Sequence, residues 1–126
     1  MAKNEKNRSR RNTNKPPKKA DIEFVGSSLE DLRSWPKEAK MEAGYQLDNV
    51  QSGNPPDSWK PMKPVGPGVR EIRIEESDRA WRVMYVQKIE DTVHVLHCFQ
   101  KTSRKTEKSD IEIAKKRLKA IKHDTK

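Results

Sequence analysis

Six cations fall in three separate stretches of this 126-residue chain: Arg70 and Arg73, then Arg82, then Lys101, Arg104 and Lys105. A guanidinium fork holds two phosphate oxygens at once, and a lysine supplies a compact charge that can give up its proton. RNA is cut without a metal when its 2′-hydroxyl attacks the neighbouring phosphate. That chemistry needs a proton acceptor, a proton donor, and cations around the charge that develops on phosphorus. Arg82 is the leading candidate, because it stands mid-strand among apolar residues where solvation alone is a weak reason for it. The competing role is an ion pair with Glu71 or another strand carboxylate. A lysine of this cluster, crowded by arginines, would have a lowered pKa and could serve as the base.

Other side chains fit the same chemistry less directly. His97 has the unperturbed pKa of an acid or base, though a structural histidine satisfied by its neighbours is the weightier expectation. Strict alternation places His94 and His97 on opposite sheet faces. Trp59 lies in a Pro-rich segment with Lys60 and Lys63, a combination suited to stacking on an unpaired base and holding its phosphate. Tyr85 reads better as core. Three histidines and one cysteine without ligand spacing argue against a metal site. Neither a Gly-rich phosphate loop nor a nucleophile elbow is present, and no cofactor is expected.

The elements that must position these groups centre on Trp81–Thr106, which reads as two strands joined by a polar turn at Glu90–Asp91. β-Branched and aromatic residues at period two are the strand signal there. Before it, Asp21–Val25 reads as a short strand ended by Gly26. Ser27 and Glu30 form an S-x-x-E capping box that opens a helix with Leu29, Leu32 and Trp35 inward. Pro36 starts a second helix, with Ala39, Ala43, Leu47 and Val50 at helical spacing, so the two make a helical hairpin. An extended Pro-rich loop follows to Gly68, then a strand over Val69–Ile74. Thr106 caps a last helix with Ile111, Ala114, Leu118 and Ile121 as its apolar stripe; Ser109 with Glu112 offers a competing start. The order β-α-α-β-β-β-α predicts an α+β fold with an antiparallel sheet.

The hydrophobic share of 31% against 37% charged allows one small two-layer domain over residues 21–126. Residues 1–20 carry eight basic groups against one acidic, giving +7, and read as a disordered basic arm. Residues 21–57 carry three against eight, giving −5, and residues 58–126 seventeen against ten, giving +7. This polarity suits an oriented approach to a polyanion. The single Cys98 excludes a disulfide framework and fits a reducing, cytoplasmic setting, with no apolar run of the roughly 20 residues that span a membrane.

Four segments in order carry a resemblance: GVREIRI (Gly68–Ile74), WRVMYV (Trp81–Val86), VLHCFQKTSRKT (Val95–Thr106) and DIEIAKKR (Asp110–Arg117). Together they resemble the phage-derived, HigB-type branch of the RelE/ParE toxin superfamily over roughly residues 20–122. The chain departs from that pattern at Glu107, where the family commonly has Pro, and at Thr102, where a second Lys often follows Lys101. The resemblance implies a microbial-RNase-like fold, messenger RNA cleavage on the ribosome, and a helix-turn-helix, HigA-like antitoxin as partner. Read from their own types and positions, the candidate site residues are Arg82, Lys101, Arg73 and His97 for catalysis. Arg70, Arg104, Lys105, Lys60, Lys63 and Trp59 would bind RNA. Two alternatives stay open beside it: a ParE-like gyrase inhibitor without nuclease activity, and a nonenzymatic RNA-binding protein.

Overall fold

The computed structural model describes residues 19–124 with the exception of Glu90. Its elements are β1 (Asp21–Phe24), α1 (Ser28–Arg33), α2 (Lys37–Gln51), β2 (Trp59–Pro61), β3 (Val69–Glu76), β4 (Arg79–Ile89), β5 (Thr92–Lys101) and α3 (Lys108–Asp124). The five strands make one sheet in the order β1-β5-β4-β3-β2. This is the expected α+β arrangement of helical hairpin, antiparallel meander and C-terminal helix, with two additions. The Pro-rich segment contributes the short edge strand β2, and β1 runs parallel to β5. The parallel pair follows from the path: α1 and α2 carry the chain from one sheet edge to the other, so the meander starts at the far edge and ends beside β1.

Each face of the sheet buries its own apolar layer. Leu32, Trp35, Ala39, Ala43, Leu47 and Val50 of the helical hairpin close over Ile72, Ile74, Val83, Tyr85, Val93 and Val95. On the opposite face Ala114, Leu118 and Ile121 of α3 close over Met84, Val86, Leu96 and Phe99. These stripes are the ones that helical spacing picks out, and burial of roughly 25 cal/mol per Å² of apolar surface holds both layers.

A bulge corrects the expected facing of β5. Met84 pairs with His97, but Tyr85 pairs with Val95, so Leu96 is an extra residue on this strand. Val93, Val95 and Cys98 therefore join the helical-hairpin layer. His94, in register with Val86, and His97, in register with Met84, both belong to the face under α3 instead of opposite faces. Arg117 of α3 clasps the bulge: Nη1 donates to the Leu96 carbonyl at 2.9 Å and Nη2 to Ser27 Oγ at 3.0 Å. Gly26, with φ at +60°, lies in the left-handed region that favours glycine, and a Cβ there would stand 2.5 Å from Arg117 Nε and push the guanidinium off the bulge.

Two expected caps form differently. The Ser27 hydroxyl donates to Asp31 Oδ2 at 2.9 Å and makes no cap bond, so the Ser27–Glu30 box is absent. At α3 the amides of Asp110 and Ile111 donate to the Glu107 carbonyl, while the Thr106 hydroxyl points elsewhere. Between β3 and β4 the chain reverses in two residues, Ser77 (φ 56°) and Asp78 (φ 60°), both in the left-handed region that matches strand twist in a tight hairpin. Of the expected basic arm, residues 1–18 lie outside the described residues. Lys19 pairs with Asp48, and the Ala20 amide donates to the Gln51 carbonyl at 2.9 Å. No helix among the described residues is long and apolar enough to cross a membrane.

Candidate active site

Strand register brings charge together on the face shared with α3. Lys60 pairs with Glu71, Arg73 with Arg82, Arg82 with Phe99, and Ala80 with Lys101. Directly paired residues share a sheet face, so Lys60, Glu71, Arg73, Arg82 and Lys101 converge beyond the N-terminal end of α3. Four cations against one carboxylate leave this group at +3, or +2 once the exposed Glu75 is counted.

Glu71 is the centre. It is fully buried, and a buried carboxylate survives only with partners. Its Oε2 accepts from the Thr106 hydroxyl at 3.0 Å, which is where the expected helix cap has gone. Arg82 Nε lies 3.7 Å and Lys60 Nζ 3.8 Å from its Oε1. Arg82 is only 3% exposed; its Nη1 donates to its neighbour Trp81's carbonyl at 3.0 Å and lies 3.5 Å from Glu75 Oε2. The ion pair with Glu71, the competing role for Arg82, is thus the one that its side chain makes.

Lys101 Nζ is buried and has no hydrogen-bond partner among the described residues, and the same holds for Arg82 Nε. Loss of solvent lowers the Lys101 pKa most. The Glu71 charge works against that fall, and Arg82, Lys60 and Arg73 add to it. The Lys101 amine, without an acceptor and beside an excess of positive charge, suits a phosphate oxygen. Arg73 is exposed on the same face, and Arg104 and Lys105 are exposed in the loop between β5 and α3, with Ser103 Oγ donating to the Lys105 carbonyl at 2.7 Å.

Four residues singled out from sequence stand apart from this cluster. His97 Nε2 lies 2.8 Å from Asp110 Oδ1, tying β5 to the first turn of α3, and its ring stacks on Phe99 at 4.7 Å between centroids. Along β5 the Phe99 ring comes between His97 and Lys101. Trp59 and Arg70 share the other face of the sheet, in register with Ile72 and Tyr85 of the helical-hairpin layer. Lys63 lies exposed in the loop after β2. Sequence reasoning did not select Glu71 or Thr106 for the site. The signal was there: an acidic residue in the inward register of β3, between arginines, has to be compensated wherever it is buried. Among the described residues no group of three His, Cys, Asp or Glu side chains could hold a metal ion.

Comparison with known proteins bears on the fold first. A family model described as phage-derived protein Gp49-like matches residues 30–119. The chain is similar to an arginine-substituted mutant of E. coli toxin RelE in the free state, with a TM-score of 0.57 and 16% identity over 82% of this chain and 98% of that one. It is also similar to the toxin–antitoxin complex RelBE2 of Mycobacterium tuberculosis, with a TM-score of 0.51 and 19% identity over 66% of this chain and 99% of that one. No curated protein matches. The fold is RelE-like, and the charged cluster sits on the face of its sheet that α3 leaves open.

Proposed function

The chain belongs to the phage-derived Gp49-like family and has a RelE-like fold, and on that premise we propose that it is the toxin of a toxin–antitoxin pair and an endonuclease of messenger RNA. The observation that carries the proposal is the surplus of cations around buried Glu71, with the Lys101 amine buried and unpartnered among the described residues.

In the proposed reaction the RNA backbone lies across the open end of the sheet. Lys101, its pKa lowered, takes the proton of the attacking 2′-hydroxyl; the new bond from the 2′-oxygen to phosphorus displaces the 5′-oxygen, which leaves with a proton from water. Arg73 and Lys60 stabilise the charge that grows on the phosphoryl oxygens. Glu71 and Arg82 act behind them: the Glu71 carboxylate gathers the cations, and Arg82 spans it and the Glu75 carboxylate. Arg104 and Lys105 hold the flanking phosphates. The ribosome presents the message, and the partner is a helix-turn-helix antitoxin of the HigA type. The toxin–antitoxin complex of the similar M. tuberculosis protein supports an antitoxin as partner and leaves its type to the proposal.

Mapping RNA 5′ ends after brief induction tests this. Cuts confined to translated frames, and lost in Lys101→Met at matched protein level, are the expected result. Intact RNA accompanied by broken DNA would replace the proposal with gyrase poisoning.

A further inference from the structure

Strand β2 has a second side. Successive strand residues face opposite ways, so while Lys60 reaches toward Glu71, Trp59 and Pro61 stand on the other face with Arg70 and Tyr85. The Arg70 guanidinium lies over the Trp59 ring, 4.0 Å from its centroid. Beside them opens a cavity of about 570 Å³, mostly apolar, whose walls include Trp59, Pro61, Pro67 and Val69, with Lys63 and Arg70 as its cations. It shares Gly68 and Arg70 with a smaller cleft of about 110 Å³ that Tyr85 and Gln87 complete. Tyr85 is 1% exposed, and its hydroxyl makes no well-formed hydrogen bond among the described residues. Burial raises its pKa, while a hydrogen-bonding approach of Arg70 and the Arg70 charge oppose the rise, so the hydroxyl keeps its proton at neutral pH.

An aromatic ring, a guanidinium plane, a second cation and a buried hydroxyl are what an unpaired base and its phosphate require. A peptide strand is a poorer fit to the same edge: Pro61 in β2 has no N–H to give, and Pro64 and Pro67 follow it. We propose that this edge is a second nucleotide site, which takes one unpaired nucleotide of the RNA strand whose cleaved phosphate lies at the Glu71 face. It rests on the nuclease function proposed above. The strand turns around β2, whose three residues serve both faces, and the site selects single-stranded over duplex RNA because a stacked, paired base cannot enter the cavity.

The test uses the full chain and a short single-stranded RNA made uncleavable by 2′-O-methylation, with 2-aminopurine as the reporting base. Stacking in the cavity quenches the probe. Trp59→Leu and Arg70→Gln are each expected to weaken binding about tenfold or more, the range of one lost base stack. Trp59→Phe, which keeps a ring on the strand, retains most of the affinity and guards against a folding defect. The same sequence as duplex competes poorly. No binding by the wild-type chain, equal competition by the duplex, or unchanged affinity in both Trp59→Leu and Arg70→Gln overturns the edge site. Cleavage is scored separately from 5′ ends: a chain that cuts RNA yet shows one of those results keeps its nuclease function without this site. A chain that binds the probe as expected but never cuts keeps the site and loses the nuclease.

Discussion

Glu71 and its partners make the site sensitive in a specific way. Removing one member of a buried ion pair costs about 3–5 kcal/mol, because the other charge is stranded. Arg82→Ala should therefore lower stability by several kcal/mol in urea unfolding, and Arg82→Lys should recover part of it. A loss below about 1 kcal/mol would mean that Lys60 and Thr106 suffice for Glu71. The Lys101 pKa is lowered, so its neutral, proton-accepting form gains population as pH rises through a value below the ordinary 10.5. The cleavage rate should climb with pH along a limb that ends short of 10.5 and vanishes in Lys101→Met. A rate that falls over that range would exclude Lys101 as the base. Arg73, Arg82 and Lys101 were legible in the sequence as cations on adjacent strands. The burial of Arg82 was not, since a mid-strand arginine reads alike whether it faces a ligand or a carboxylate.

At the scale of elements, the helices and the strands over Val69–Ile74 and Trp81–Thr106 were legible because their apolar periods are long and unbroken. The bulge was not. Val95, Leu96, His97, Cys98 and Phe99 are all tolerable on a buried face, so nothing in their order marks Leu96 as the extra residue. β2 was hidden by the prolines around it, and the Thr106 cap failed because the demand of a buried carboxylate outweighs one helix amide. The His97–Asp110 contact is a test of element docking. His97→Gln or Asp110→Asn should reduce thermal stability by about 1–3 kcal/mol, the cost of an unpartnered buried polar group, while RNA cleavage at 25 °C persists. Loss of cleavage with full stability would restore His97 to a proton-transfer role.

The whole molecule is polarised. α2 presents Glu38, with Met41 64% and Tyr45 57% exposed beside it, on the side away from the charged cluster. The surplus of cations lies on the other face, which leaves this side to the proposed antitoxin. Glu38→Lys combined with Tyr45→Ser should weaken the antitoxin complex and spare cleavage, as read by calorimetry and 5′-end mapping. Unchanged antitoxin affinity, with loss of it in Arg73→Glu, would place the partner over the active site instead. Residues 1–18 carry seven basic groups against one acidic, giving +6. Their deletion should leave the melting temperature unchanged and make RNA binding less steeply dependent on salt. An equal slope would leave this segment without an electrostatic role.

The parallel pairing of β1 with β5 has a consequence for the order in which the protein can assemble. Ile22 waits for Val93, and Phe24 for Val95, some seventy residues later in synthesis. Contacts of such long range close slowly, because the loop entropy must be met before the pairing rewards it. Lys101 and Thr106 lie on and just beyond that same late strand. A nascent chain therefore carries Glu71 without the groups that complete its surroundings until β5 has emerged and docked. Chains halted before Lys101 should be inert and protease-sensitive, and the cutting activity should appear in the same kinetic phase as protection of the β1 amides from hydrogen exchange.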